Sequence, residues 1–194
     1  MRKIFSLALL ALAFTACEQA PTPSPVAPIS FAGRAPTRLN VAQINVVDTY
    51  RSSMNAPYVE HTVPTPPAMA VKQWAGQRLI AAGSQGTLEI SIDDASIKET
   101  KLTQKDGLQG FFTDEQSERY DARLRVTMRL YDGVSTISVA EGNVDIARMQ
   151  TVGEKETVSS REKILNGMVQ NMLTNFDSEA EARLRQYFGR FIIG

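Results

Sequence analysis

The clearest pattern in the chain is a strict alternation of apolar and polar residues between Arg119 and Tyr131. Such alternation predicts a β-strand with one buried face and one face in water, as in an antiparallel sheet. The dipeptide Asp132-Gly133 that follows favours a hairpin turn. We therefore expect a further strand from Thr136 to about Met149. The apolar positions are Tyr120, Ala122, Leu124, Val126, Met128 and Leu130.

Two earlier segments also have strand character. The segment 39–50 (LNVAQINVVDTY) is rich in β-branched residues and predicts one strand. A period of two begins again at Leu88, but Ala95 and Ile97 continue it one residue out of phase. That slip predicts a β-bulge at Asp93-Asp94.

Helical spacing of apolar residues occurs twice. In the first helix we expect Thr65 to form the N-terminal cap, Trp74 to lie on the buried stripe and Gly83 to end the helix. A capping box, Ser159-x-x-Glu162, is expected to start the second, which continues for about 30 residues. Asp177-Ser178 is expected either to bend this helix or to begin another. The first stripe comprises Val71, Trp74, Ala75, Leu79 and Ala82.

The predicted order of elements is β-α-β-β-β-α. One parallel crossover and an antiparallel meander make an α+β fold, a two-layer sandwich. We expect a mainly antiparallel four-stranded sheet with its helices on one face. Residues 39–194 would form this single domain, a usual size for one.

The N-terminus has the organisation of a secretory signal. Two basic residues precede an apolar run that ends at Phe14 and is too short to span a bilayer. An ordinary cleavage site could use Ala11-Leu12-Ala13. The alternative is Phe14-Thr15-Ala16-Cys17, which resembles the bacterial lipobox although leucine is usual where Phe14 stands. We favour the lipobox, with 1–16 as signal peptide.

The lipobox resemblance implies that Cys17, the only cysteine, receives a lipid anchor carrying fatty acids such as palmitate. Residues 17–38 would then form a tether, since five of the nine prolines lie in 18–36. Proline-rich segments are semi-rigid and extended, about 3 Å per residue. Glu18 differs from the aspartate associated with inner-membrane retention in well-studied lipoproteins. By resemblance, we expect the periplasmic face of the outer membrane.

The charge and composition of the chain argue against several classes of function. Lys and Arg balance Asp and Glu at 21 each, which argues against a nucleic-acid partner. His61, the only histidine, could be a general base, but no triad surrounds it in sequence, and we expect a loop side chain. Asp93-Asp94 and Asp114-Glu115 are more typical of solvated carboxylates than of an acid–base pair. We expect no enzyme activity, no metal and no cofactor.

A family resemblance follows from the lipobox, the proline-rich tether and the order of elements. Together these resemble transport-auxiliary lipoproteins, small proteins that accompany ABC-type lipid transporters, and other envelope-assembly lipoproteins. The matching residues are Tyr50, Pro57, Trp74, Ala75 and Leu79. The resemblance implies a non-catalytic binding or adaptor protein with an envelope protein or lipid as partner. The alternative hypothesis is a scaffold or regulator of a cell-wall or outer-membrane assembly enzyme.

Three sets of residues are candidates for partner binding. Phe111 and Phe112 stand in a polar, glycine-containing loop, and either contact a partner or fold back over the core. Arg123 and Arg125 share the polar strand face with Arg119 and Arg129, and either bind an anionic group or pair with Glu89 and Asp93. Phe191, Ile192 and Ile193 are consecutive near the C-terminus, and either dock on a partner or membrane surface or pack in the core.

Overall fold

A computed structural model describes residues 29–103 and 116–194. In this part of the chain the fold is α+β, as predicted, with two α-helices and eight strands in two sheets. The elements are β1 Thr37–Leu39, β2 Gln43–Asp48, α1 Pro67–Arg78, β3 Leu79–Ala81, β4 Thr87–Asp94, β5 Ile97–Lys101, β6 Gln116–Tyr131, β7 Ala140–Gly153, α2 Val158–Phe188 and β8 Ile192–Ile193.

The larger sheet is organised around β6, its longest strand. β7 runs antiparallel along one edge of β6, while β4 and β5 lie antiparallel along the other. β4 pairs with 125–131 of β6 and β5 with 118–122, so the two strands follow each other along the same edge. β2 pairs with β4 in parallel. The sheet therefore contains the predicted parallel crossover and is otherwise antiparallel, but it has five strands where four were predicted.

The alternation along β6 is confirmed, since all six of its predicted apolar positions are buried. The bulge is confirmed as well, because the register between β4 and β6 shifts between Ile92 and Asp94. A bulge bends the strand and increases its local twist. β4 and β5 are thus two parts of one run of pairing with β6, separated where the sequence pattern slips.

The prediction of a single first strand over 39–50 is wrong. The chain forms two strands here, β1 and β2. β1 ends before Asn40, whose backbone N–H donates to the carbonyl of Phe191 at 2.7 Å. Two residues later the N–H of Ala42 donates to the carbonyl of Gly86 at 3.0 Å, next to β4. β-Branched composition predicts extended backbone but does not reveal which sheet accepts its hydrogen bonds.

A second, three-stranded sheet was not predicted. β1 lies at its centre, parallel to β3 and antiparallel to β8. The predicted end of the first helix is wrong for this reason. α1 stops at Arg78, and the residues from Leu79 form β3 of the small sheet. Gly83 is not the cap; a Cβ there would lie 2.5 Å from Asn40 Oδ1, so the close approach of these segments requires glycine. Thr65 is not the N-cap either, a position held by Pro66.

The second helix is one continuous element. Its cap is Thr157, whose hydroxyl accepts from the backbone N–H of Ser160 at 3.2 Å, so the capping box at Ser159 was wrong. Asp177 does not interrupt the helix, because its carboxylate is buried and hydrogen-bonded to other elements. α2 packs against β7 and β6. β7 itself begins at Ala140, four residues after the predicted start.

Packing begins before Leu39. Phe31 is buried in the core, and its backbone N–H donates to Gln77 Oε1 of α1 at 2.7 Å. Arg34 forms ion pairs with α2. The described residues ahead of β1 therefore lie against both helices.

Trp74 is buried as predicted, with 1% of its surface exposed. Its ring meets Phe176 of α2 edge-to-face, with 5.0 Å between ring centroids and 73° between planes. Such pairs add to the stabilisation from burial. Trp74 therefore joins α1 to α2 at the centre of the core.

Trp74→Ala should lower the free energy of unfolding by about 3–5 kcal/mol, since a large buried side chain leaves a cavity. Urea denaturation followed by circular dichroism measures this loss. The matched control is Met69→Ala on the same helix, where the side chain is 50% exposed and a change within about 0.5 kcal/mol is expected. Equal midpoints for both variants would contradict the assignment of Trp74 to the core.

Candidate binding surfaces

A buried ion cluster joins the N-terminal segment to both helices. Arg78 Nε of α1 donates to Asp177 Oδ1 of α2 at 2.8 Å, and Trp74 Nε1 donates to the same oxygen at 2.8 Å. Arg78 Nη2 reaches Glu181 Oε2 at 3.0 Å, and its Nη1 donates to the carbonyl of Ala35. The side chain of Arg78 is 3% exposed and that of Asp177 is 9% exposed. We call these groups, with Arg34, the Arg78–Asp177 cluster.

Arg34 adds a second cation to the cluster. Its Nη1 lies 3.2 Å from Asp177 Oδ2 and 3.5 Å from Glu181 Oε2. The pKa of Glu181 is lowered, chiefly by the hydrogen bond from Arg185 and further by the charges of Arg78 and Arg34. Sequence reasoning missed this cluster, although a charged residue on an apolar helical stripe was the available signal. Its polar groups satisfy one another, which is typical of a structural role.

Arg78→Met should lower the free energy of unfolding by about 3–5 kcal/mol, because it leaves a buried carboxylate without its cation. Arg185→Met is the matched control, since Arg185 pairs with Glu181 on the surface of α2 with its side chain 73% exposed. Loss of an exposed helical pair costs about 0.3–0.5 kcal/mol. Chemical denaturation of both variants measures the free energy of unfolding. Similar small decreases in both variants would show that the cluster does not stabilise the fold.

A groove crosses the polar face of the larger sheet next to the bulge. Its volume is about 420 Å³. It carries charges of both signs and one largely exposed apolar side chain, Met149, at 63% exposure. We call it the sheet groove; it is lined by Asp94, Ser96, Lys98, Asp121, Ala122, Arg123, Ala147, Arg148 and Met149.

The candidate arginines stand at one side of this groove and are paired with neighbouring carboxylates. The guanidinium of Arg123 donates two hydrogen bonds to the carboxylate of Asp145 in β7, at 3.1 and 2.8 Å. Arg125 Nε lies 3.3 Å from the same carboxylate. The hydrogen bond from Arg123 lowers the pKa of Asp145. Pairing across the sheet was the expected alternative to anion binding, but the partner strand is β7. Both guanidinium groups are nearly half exposed, so they remain accessible to a partner.

The predicted pairing of the polar-face arginines of β6 with Glu89 and Asp93 is only partly confirmed. Glu89 lies 4.0 Å from Arg129, which makes a closer pair with Glu141 at 3.0 Å. Asp93 instead accepts hydrogen bonds from Ser91 at 2.7 Å and Thr127 at 2.5 Å. Its carboxylate therefore organises the polar face beside the bulge.

The C-terminal candidates follow a change from helix to strand. Phe191 ends a short 3₁₀ turn, and the guanidinium of Arg190 lies 4.7 Å from the centre of its ring. Ile192 is half-buried opposite Leu39 in the small sheet, while Ile193 is 36% exposed. Adjacent residues of a strand face opposite sides, so Ile192 and Ile193 lie on opposite faces of the small sheet. Phe111 and Phe112 lie outside the described residues, as does Cys17, and these assignments stay predictions.

His61 is exposed on a 3₁₀ turn, Glu60–Thr62, whose buried member is Glu60. Glu60 accepts from the Tyr50 hydroxyl at 2.7 Å and from the backbone N–H of Ile97 at 3.2 Å. Burial acts to raise the pKa of Glu60, but hydrogen bonds from Ser52 and Tyr50 outweigh it and lower the pKa. Burial and the hydrogen bond to Glu60 raise the pKa of Tyr50. This pair anchors the loop before α1 to β5.

Neither a metal-binding cluster nor a membrane-crossing helix occurs among residues 29–103 and 116–194. No group of three or more His, Cys, Asp or Glu side chains there is arranged to hold a metal ion. Within the same ranges, neither helix has an apolar stretch long enough to cross a bilayer.

Comparison with known proteins gives similarity in structure only. No protein-family model and no curated protein sequence matches the chain. A neuraminyllactose-binding hemagglutinin homolog from Helicobacter pylori aligns with a TM-score of 0.42 and 9% identity, covering 79% of this chain and 91% of that one. A minor lipoprotein from Acinetobacter baumannii aligns with a TM-score of 0.40 and 10% identity, covering 80% and 98%.

A lipoprotein from Caulobacter crescentus aligns with a TM-score of 0.35 and 11% identity, covering 70% of this chain and 85% of that one. The solved structures similar to this chain thus include bacterial lipoproteins. Similarity at this level does not assign the chain to a family.

Proposed function

We propose that the protein is a non-catalytic lipoprotein of the bacterial envelope, anchored through Cys17, that acts as a binding or adaptor component of an ABC-type lipid transport system. The observation that carries the proposal is the short connection between the lipobox and the core. Phe31 is buried in the domain, and only fourteen positions separate it from Cys17. An acyl group on Cys17 would hold the domain itself at the membrane.

The length of that connection sets how far the domain can stand from the bilayer. Twelve positions separate Cys17 from Ile29, the first described residue. A fully extended chain spans at most about 3.3–3.6 Å per residue, so this reach is about 40 Å. Packing of the residues before β1 thus shortens the reach below that of the whole tether predicted over residues 17–38. We propose that the protein is located at the periplasmic face of the outer membrane.

The sheet groove supports binding as the activity of the domain. It combines charges of both signs with the exposed side chain of Met149, a mixture suited to a polypeptide surface. The buried ionisable groups Glu60 and Asp177 are engaged in hydrogen bonds with neighbouring elements. A partner protein of the transport system would contact the groove from the solvent side of β6 and β7.

Cys17→Ser should abolish incorporation of a clickable palmitate analogue, because the thiol that accepts the lipid is gone, and should leave either unprocessed precursor or protein released from the membrane fraction. Metabolic labelling and fractionation of intact cells measure both effects. Ser6→Ala, within the apolar run, is the control and should leave labelling unchanged. Labelling of the Cys17→Ser protein at the original level would contradict anchoring through this residue.

A photocrosslinker at Met149 should capture a permease, ATPase or substrate-binding component of an ABC-type transporter, because this side chain lines the sheet groove and is exposed. p-Benzoylphenylalanine replaces Met149 in one strain and Val134, 89% exposed in the β6–β7 loop, in the control strain. Mass spectrometry identifies products formed at Met149 and absent at Val134. Capture of a cell-wall or outer-membrane assembly enzyme instead would favour the scaffold hypothesis and contradict the transport role.

A further inference from the structure

One face of the three-stranded sheet mixes exposed apolar and cationic side chains. The register of the sheet places Arg38 of β1 directly between Ile80 of β3 and Ile193 of β8. Residues opposite one another in paired strands point to the same side. All three are exposed, Ile80 at 38% and Ile193 at 36%. We call this row the Arg38 face.

A cationic cavity of about 670 Å³ adjoins the Arg38 face. Four arginines line it, together with Glu181 and the apolar residues Ile192 and Ile193. Asp177 and Glu181 are the side-chain carboxylates paired with these arginines, so the guanidinium groups outnumber the side-chain carboxylates by four to two. The four are Arg34, Arg38, Arg78 and Arg185.

The arginines differ in how far they are available to an outside anion. Arg34 and Arg78 belong to the Arg78–Asp177 cluster, which holds them in place. Arg185 pairs with Glu181 but keeps 73% of its side chain exposed. Arg38 is exposed and makes no ion pair within the described parts of the chain, 29–103 and 116–194. Excess positive charge is therefore concentrated at Arg38 and Arg185.

The segment that leads to the lipobox forms part of the same surface. Residues 34–36 line the cavity and continue directly into β1, which carries Arg38. The connection from Ile29 back to Cys17 reaches about 40 Å at most. A domain held this closely meets the bilayer surface repeatedly, and the face beside its point of attachment is well placed for contact.

We propose that the Arg38 face docks onto the anionic phospholipid headgroups of the membrane that carries the anchor. Guanidinium groups bind phosphate, and the flanking isoleucines rest at the boundary between headgroups and acyl chains. This inference rests on the proposed anchoring, which brings the face to the bilayer. The anchor supplies proximity, which strengthens a contact that the Arg38 face already makes with anionic headgroups by itself.

The test uses the unacylated mature chain, residues 18–194, with vesicles of phosphatidylcholine alone or mixed with phosphatidylglycerol. Co-sedimentation should show binding to the anionic vesicles, little binding to the neutral ones, and loss of binding at high salt. Because no acyl group is present, the outcome is independent of palmitate labelling at Cys17, and failure of either proposal can be recognised separately.

Arg38→Glu should weaken binding to the anionic vesicles at least about fivefold, since each basic residue near an anionic surface contributes about that factor. Arg51→Glu is the matched control, and it should bind nearly as the parent does. Arg51 is an exposed arginine beyond the far end of β2, and its hydrogen bonds to the described residues go to backbone carbonyls. Melting curves verify that each variant is folded, and Arg38→Gln serves if the charge reversal unfolds.

Three results would overturn the proposal. The first is equal binding to neutral and anionic vesicles, and the second is unchanged binding by the folded Arg38 variant. The third is absence of binding to vesicles of either composition.

Discussion

The Arg78–Asp177 ion pair is the interaction on which the rest of this structure depends. Arg78 is the last residue of α1, and Asp177 lies two-thirds of the way along α2, so the pair fixes the two helices to each other. The same guanidinium reaches the carbonyl of Ala35, which fixes the segment before β1. A buried pair is costly to desolvate and repays that cost only when its remaining hydrogen bonds are satisfied. Here Trp74 Nε1 completes the set.

Fixing these elements also creates the small sheet. The chain must turn into β3 immediately after Arg78, and β1 lies beside it because the preceding segment is tied to α2. β8 then returns from the end of α2 to the other edge of β1. The segment nearest the lipobox, the core and the C-terminal residues therefore meet in one place. An anchor at Cys17 would therefore be joined to the domain at this junction.

The two candidate surfaces have different physical character. The sheet groove has charges of both signs, and Arg123 at its side is held in place by two hydrogen bonds to the neighbouring Asp145, so the groove offers directional hydrogen bonds to a partner. The Arg38 face has excess positive charge and exposed isoleucines, a combination that needs no specific partner geometry. In the adaptor role proposed above, the sheet groove would make the specific contact and the Arg38 face would make the contact with the membrane surface. Separate surfaces allow the two to operate together.

Local periodicity in the sequence was enough to determine the strand β6, the bulge beside Asp94 and the burial of Trp74. Each of these depends on which side of one element an apolar residue occupies. The order of nearby residues in the sequence determines that side. The sequence also determined the lipobox hypothesis, which needs only a contiguous motif. Tertiary structure decided the division of 39–50 into two strands, the end of α1 at Arg78 and the pairing of Arg123 with Asp145. These depend on hydrogen bonds and ion pairs between residues far apart in the chain, whose partners no local pattern identifies.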